Sequence, residues 1–238
     1  MKKIDVNCDV GEGLNNEEAL MQYIQSCNIA CGGHAGGEKQ MQNIVGLAIK
    51  YKVKIGAHPS YPDEENFGRK TMVMESDEFK KSIQNQINLL LKIVKEQGAD
   101  LHHIKPHGAL YNDLAKSDDL SLEFLDAIIP YKNEAKLYVP YNSAIEKNAI
   151  KKGFSIIYEA FADRNYNDDL SLVSRQEKEA LITNPKIILQ HVTEMVNNQK
   201  VRTISGKKVS IKAATFCVHS DTEKAVEIVR VLNGHNFL

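Results

Sequence analysis

The sequence predicts an α/β fold of parallel strands and crossover helices, and three observations carry that expectation. Seven segments rich in β-favouring residues each end in polar residues or glycine: Ile4 to Glu12, Cys27 to Gly37, Val53 to Ser60, Leu101 to Tyr111, Leu137 to Ser143, Ile156 to Arg164 and Ala214 to Asp221. Segments with helical spacing separate most of them, the alternation that parallel strands require. The chain has 238 residues, close to the ~250 typical of a (β/α) barrel, so one domain over residues 1–238 is expected.

Taken in order, the first strand carries Asp5, Asn7 and Asp9 at alternate positions, which puts all three side chains on one face. Polar groups there are costly in a buried strand unless partnered; the alternative is an exposed edge strand. The second segment, NIACGGHAGG, brings Asn28, Cys31 and His34 to a glycine-rich turn ahead of a helix, where free backbone donors suit an anion. It is not a Walker loop, because GxxxxGK[ST] occurs nowhere. Between Glu38 and Lys52 the residues Met41, Ile44, Val45, Ala48 and Ile49 form one helical stripe. The third strand ends in GAHPSYP, with His58 and Ser60 at its tip. Tyr61 to Met74 is longer than the usual loop of an α/β unit, and such loops are often lids or binding loops.

From Ser76 to Gln97, the set Phe79, Ile83, Ile87, Leu90 and Val94 predicts a second helix, capped by Ser76 or Asp77 and stopped by Gly98. The segment His102 to Asn112, HHIKPHGALYN, then runs an apolar lead-in straight into Lys105, Pro106, His107 and Gly108. Pro106 turns Lys105 away from helical geometry and Gly108 permits angles closed to other residues. Asn184 followed by Pro185 reads as a cap and first-turn proline opening a helix to about Gln199. Val201 to Ile211 reads as a β-hairpin turning at Ser205 and Gly206. Thr222 to Gly234 is the last expected helix.

Composition narrows the function. Thirty basic residues against thirty-one acidic ones, with no dense Lys/Arg block, argue against nucleic acid and anionic lipid as partners. The start, MKKIDVNCD, meets Asp5 before any apolar run, and nowhere do ~18 apolar residues follow one another. A cytoplasmic protein is therefore expected. Cys8, Cys27, Cys31 and Cys217 contain no CxxC pair and are too few for a disulfide framework, so they are read as small buried hydrophobes.

The strand ends gather the chemistry. Besides the groups named above, the sixth supplies Glu159, Asp163 and Arg164, and the seventh His219 and Asp221, the latter also a possible helix cap. In a barrel these ends share one rim. A carboxylate or imidazole there would serve as general base, with Lys105 or Arg164 holding an anionic substrate. An Asp with two His would instead bind a divalent metal, and Asp9, His34, His58, His107 and His219 are the candidates. Spacing alone leaves both open.

Seven runs in order along nearly the whole chain now carry a likeness: DVNCDVGEG (5–13), NIACGGHAGG (28–37), GAHPSYPD (56–63), FGRK (67–70), IKPHGALYN (104–112), EAFADRNY (159–166) and CVHSD (217–221). The chain resembles the LamB/YcsF family. The resemblance implies a seven-stranded, TIM-like (β/α) barrel of the glycoside hydrolase and deacetylase type. It implies the role of the A component of a 5-oxoprolinase, in ATP-dependent cleavage of 5-oxo-L-proline to L-glutamate, ADP and phosphate, within a complex with subunits B and C. ATP, with Mg2+, enters as co-substrate, and no tightly bound metal is expected. Catalytic roles are expected of Asp9, Lys105, His107 and Glu159, with Asp9, His107 or Glu159 as base. Substrate contacts are expected of Asn7, Asn28, His34, His58, Arg164, His219 and Asp221. Gly37, Ser220 and Gln176 to Glu179 depart from the family's usual residues, Gly37 replacing Asp and Ser220 replacing Gly. The competing readings are a metal-dependent hydrolase or deacetylase acting alone, and a non-catalytic metabolite-binding subunit.

Overall fold

In the computed structural model, which describes residues 3–237, the seven expected strands close on themselves. Strands β1 (Asp5–Val10), β2 (Ser26–Ala30), β3 (Lys54–His58), β4 (Leu101–Ile104), β5 (Lys136–Pro140) and β6 (Ile156–Phe161) pair in chain order. The hairpin β7 (Lys200–Arg202) and β8 (Lys208–Ser210) stands apart as a two-stranded antiparallel sheet, and β9 (Thr215–Val218) pairs with both β6 and β1 to complete the barrel. All seven barrel pairings are parallel. Closure leaves β1 with two neighbours, so its polar face turns inward and the exposed-edge alternative falls.

Eight helices among the described residues complete the fold: α1 (Glu17–Met21), α2 (Glu38–Tyr51), α3 (Ser76–Glu96), α4 (Gly108–Lys116), α5 (Asp118–Ile128), α6 (Ala144–Lys151), α7 (Pro185–Asn198) and α8 (Ala225–Gly234). The expected stripe of α3 is buried in full, whereas in α2 Ile49 emerges 42% exposed while Met41, Ile44, Val45 and Ala48 are buried. Asn184 caps α7 by accepting from the backbone N–H groups of Lys186 and Ile187. The other caps differ from expectation. Glu75, not Ser76 or Asp77, precedes α3 and makes no side-chain cap bond. Helix α8 starts three residues after Thr222, whose hydroxyl is drawn away to Asp163. No described helix is long and apolar enough to cross a membrane.

The barrel interior is polar where such cores are ordinarily filled by Val, Ile and Leu. The Asp5 carboxylate accepts from the Ser26 and Thr215 hydroxyls at 2.7 Å each, and Asn7 Nδ2 donates to Thr215 Oγ1 at 2.8 Å. One level up, Asn28 Nδ2 donates to both Asn7 Oδ1 and Asp9 Oδ1 at 2.8 Å, and His103 Nε2 donates to Asn28 Oδ1 at 2.7 Å. The alternate residues Val6, Cys8 and Val10 join the hydrophobic core instead. This satisfies the cost anticipated for β1: each buried polar group has a partner on a neighbouring strand.

His103 also fixes what can stand beside it. Its ring stacks on Tyr138 at 3.9 Å and leans on Gly56, where an added Cβ would lie 2.1 Å from His103 Nε2. Gly56→Ala is therefore expected to lower stability by ~1–3 kcal/mol through overpacking. Gly46→Ala, in the interior of α2 with its nearest neighbour at 3.6 Å, should instead raise it by up to ~1 kcal/mol. Urea unfolding of the two variants checks both signs; an unchanged midpoint for Gly56→Ala would contradict the packing argument.

Candidate active site at the barrel mouth

The barrel strands contribute from their C-terminal ends. Lys105, directly after β4, projects its ammonium into the barrel, 2.9 Å from Asp9 Oδ1, 3.0 Å from Cys217 Sγ and 3.4 Å from Asn7 Oδ1. Glu159 Oε1 lies 3.0 Å away as an ion pair outside hydrogen-bond geometry, and both Glu159 oxygens are buried without a hydrogen-bond partner. The Lys105 side chain is 2% exposed and that of Glu159 is fully covered. Burial alone would discharge the lysine, but Asp9, then Cys217 and Glu159, hold its pKa well above the ordinary value. Burial opposes the Asp9 carboxylate as well; Lys105 and His58 outweigh it and keep its pKa well below the usual range. Both partners stay charged.

Beside this pair stands a second group. Asp163, just past β6, accepts from the backbone N–H of His219 at 2.9 Å, from the Thr222 hydroxyl, and from His219 Nδ1 at 3.0 Å. These bonds outweigh burial and lower the Asp163 pKa. The carboxylate only accepts, so it keeps a proton on His219 Nδ1, and in the neutral tautomer Nε2 carries the lone pair. The His219 ring rests on Phe161 at 5.4 Å with 14° between planes.

On the opposite side, the long loop after β3 folds over three imidazoles. Phe67 and Gly68 both have positive φ, and the Phe67 carbonyl accepts from His107 Nε2 at 3.0 Å. The Gly68 carbonyl accepts from the Ala109 amide and lies 2.6 Å from where a Cβ on Gly108 would stand, so the positive φ and the close approach together require glycine at 108. His58 donates from Nδ1 to the Lys105 carbonyl at 2.7 Å, and His34 stacks on His107 at 3.6 Å.

A cavity of about 420 Å3 opens above these groups, walled by Asp9, His58, Lys105, His107 and His219, with Arg69, Arg164 and Arg175 around it. The sequence expectations sort cleanly. Asp9, His58, Lys105, His107, Arg164 and His219 border this cavity. Glu159 lies behind Lys105 and faces an adjoining cavity of about 200 Å3. His34 packs against His107. Asn7 and Asn28 lie one layer below, fully buried, and hold Asp9 in place. Arg164 directs donors at the carbonyls of Val173 (2.6 Å) and Ala180 (3.3 Å), tying down the segment after β6. Asp221 caps no helix; it accepts from Arg69 at 2.6 Å and Arg175 at 3.2 Å at the outer rim, joining three loops.

Four contributors are not legible in the sequence. Glu12, whose carboxylate is 3.0 Å from His34 Nε2, lies in the run DVGEG but at a non-alternating position past the strand. Arg69 and Arg175 sit in loops whose course no periodicity reveals. Tyr111, one turn into α4, has a buried hydroxyl without a hydrogen-bond partner, and nearby Glu159 is among the causes that raise its pKa, after burial. Of the departures from the usual residues, Ser220 leaves a buried hydroxyl without a partner and Gly37 leaves the start of α2 with no side-chain cap.

A closed barrel with an ionised carboxylate and lysine, a His–Asp pair and a ring of arginines has the makings of an enzyme that handles a small anionic molecule. A model of the LamB/YcsF family matches residues 4–235. The chain is 40% identical over 230 residues to the A component of 5-oxoprolinase from Haemophilus influenzae (strain PittEE), covering 97% of this chain and 94% of that protein. It is 39% identical over 231 residues to the same component from Pyrococcus horikoshii, covering 95% and 91%. The solved lactam utilization protein from Thermus thermophilus superposes with a TM-score of 0.90 at 31% identity, covering 98% of this chain and 95% of that one. A GH113 β-1,4-mannanase shares the fold alone, with a TM-score of 0.52 at 11% identity over 99% and 100%. The chain belongs to the LamB/YcsF family.

Two outcomes follow from these electrostatics. Lys105→Met strands Asp9 and Glu159 as uncompensated buried charges and should cost ~3–5 kcal/mol, while adding Asp9→Asn and Glu159→Gln should restore most of it. Chemical denaturation of the single and triple variants reads this, and a single variant as stable as the parent would contradict it. His103 is held well below the ordinary histidine pKa by burial first, and burial lowers His191 to about 4. Both rings are neutral in the fold and bind protons on unfolding, so stability should fall as pH drops below ~6.5, the unfolded value. For His191 the loss continues to about pH 4. A urea midpoint that stays level between pH 7 and pH 5 would contradict the assignment.

Proposed function

We propose that this chain is the barrel subunit of an ATP-dependent 5-oxoprolinase, acting with subunits B and C to turn 5-oxo-L-proline into L-glutamate. The observation that carries the reading is the cavity itself, lined by Arg69, Arg164, Arg175 and His219, the last held by Asp163, in a chain whose relatives are named as the A component of 5-oxoprolinase.

The chemistry explains why such a site suits the reaction. A five-membered lactam is unstrained, and amide resonance makes its carbonyl carbon a poor electrophile. Transfer of a phosphoryl group from ATP, with Mg2+, to the amide oxygen removes that protection. One water then opens the ring and a second releases phosphate from the resulting acyl phosphate. The activated lactam carries a carboxylate at one end and a phosphoryl group at the other, so it is matched by several cations around one cavity.

The hydrogen bonds support a definite division of labour. The Lys105 donors are occupied by Asp9, Cys217 and Asn7, so the ammonium supplies positive potential from below. On this reading Arg69 and Arg175, which share Asp221 at the rim, hold the substrate carboxylate with their remaining donors. Asp9 is held ionised by Lys105, and His107 Nδ1 faces His58 Nε2 at 2.9 Å, so the role of base passes to His219, whose Nε2 is left free by Asp163. Glu159, ion-paired to Lys105 at 3.0 Å and facing the adjoining cavity, keeps that ammonium charged from behind.

Co-purification with subunits B and C followed by an assay of glutamate release tests the reading. ATP-dependent release is expected only from the assembled complex. His219→Ala is expected to lower kcat ~100-fold or more with KM changed little, and Asp163→Asn to lower kcat in the same sense by allowing the wrong tautomer. Full turnover by the His219 variant would remove it from the role, and absence of release from a properly assembled complex would remove the reaction.

A further inference from the structure

The three imidazoles under the long loop face one another in a way that neutral rings alone do not satisfy. His58 Nδ1 contacts the Lys105 carbonyl at 2.7 Å, and His107 Nε2 contacts the Phe67 carbonyl at 3.0 Å. A carbonyl only accepts, so each of these nitrogens carries a hydrogen. With both rings neutral, the remaining nitrogens, His58 Nε2 and His107 Nδ1, are both bare and face each other at 2.9 Å, and the Asp9 carboxylate lies 3.4 Å from His58 Nε2. Two lone pairs at that distance repel unless a cation lies between them.

The surroundings say what kind of cation. Glu12 Oε1 lies 3.6 Å from His107 Nδ1 and 3.0 Å from His34 Nε2, and ligand atoms of all four residues lie within 4.8 Å of one another. A tetrahedral ion with bonds of ~2.0–2.1 Å needs ligand atoms ~3.3 Å apart, which the 2.9, 3.0 and 3.6 Å separations straddle. In the empty site the Glu12 carboxylate holds the His34 proton on Nε2; a bound ion would take that position and move the proton to Nδ1, which has no other partner. A shared proton would use two of the four groups; a metal uses all of them. Among the described residues the other cluster of this type, Asp9, Cys217 and His219, needs no ion, because the Lys105 ammonium already touches Asp9 and Cys217.

We propose that Glu12, His34, His58 and His107 form a binding site for one divalent transition-metal ion of the zinc class, the choice that three imidazoles and a carboxylate favour. The site borders the cavity through His58 and His107. It reverses the expectation of no tightly bound metal, and it stands whether or not the lactam reaction is correct. Loading it requires the His34 and His107 rings, now stacked with 2° between planes, to tilt so that both lone pairs converge.

The test uses the untagged full-length protein, stripped with a chelator and dialysed against Zn2+ or Co2+. One ion per chain is expected, and the Co2+ form should show the intense visible bands of a low-coordinate nitrogen and oxygen site. His107→Ala and the nearly isosteric Glu12→Gln should each weaken Co2+ binding at least ~10–100-fold, whereas His102→Ala, at the other end of β4, should leave it unchanged. Thermal melts confirm that the variants are folded, and Glu12→Gln keeps the test alive if His107→Ala is not. Less than one ion per chain at saturating Zn2+, parental affinity in Glu12→Gln, or 15N NMR showing a proton shared between His58 and His107 in the presence of Zn2+ would each overturn the proposal.

Discussion

One ammonium group organises the upper barrel. Lys105 leaves the strand β4 where Pro106 forbids the chain to turn helical, and its side chain crosses the barrel to Asp9 on β1, Cys217 on β9 and Glu159 on β6. A buried lysine is tolerable only because two carboxylates accompany it, and the carboxylates are tolerable only because of the lysine. The polar ladder beneath, from Asp5 through Thr215, Asn7 and Asn28 to Asp9, fixes the height of that charge. The interior of this barrel therefore specifies geometry through hydrogen bonds and not through apolar packing alone.

Around the central charge, the loops divide into two halves with different chemistry. The segments after β6 and β9 carry the His219–Asp163 pair and, with Arg69, the Arg175–Asp221 contacts at the rim. The segments after β1 to β4 carry Glu12 and the three clustered imidazoles. The cavity touches both halves. A small anionic substrate would meet cations from above, a base from one side and the imidazole cluster from the other.

Much of this is legible in the sequence because the period of a strand is two. Asp5, Asn7 and Asp9 announce one shared polar face, which closure of the barrel turns inward, and the glycine, proline and histidine endings of the strands mark the rim. Helix α3 reads from its spacing, and the hairpin from its SG turn. What escapes depends on how loops fold. Arg69 and Arg175 meet Asp221 from segments far apart in the chain, and Glu12 sits beyond the strand, where alternation no longer dictates direction. Helices α4 and α5 follow one another with no strand between them, so strand-to-strand alternation does not separate them. Arg164 shows a second role that a strand-end cation does not announce: it lines the cavity and also ties backbone carbonyls of the following segment.

The central claim is that side chains distant in sequence converge on one anion-binding mouth above Lys105. A crystal structure of the assembled complex with 5-oxo-L-proline bound measures this most directly. The ligand is expected in the barrel cavity, its carboxylate on Arg69 or Arg175 and its ring carbonyl facing His219 Nε2. A ligand seated in another subunit, with this cavity holding only solvent, would contradict the claim.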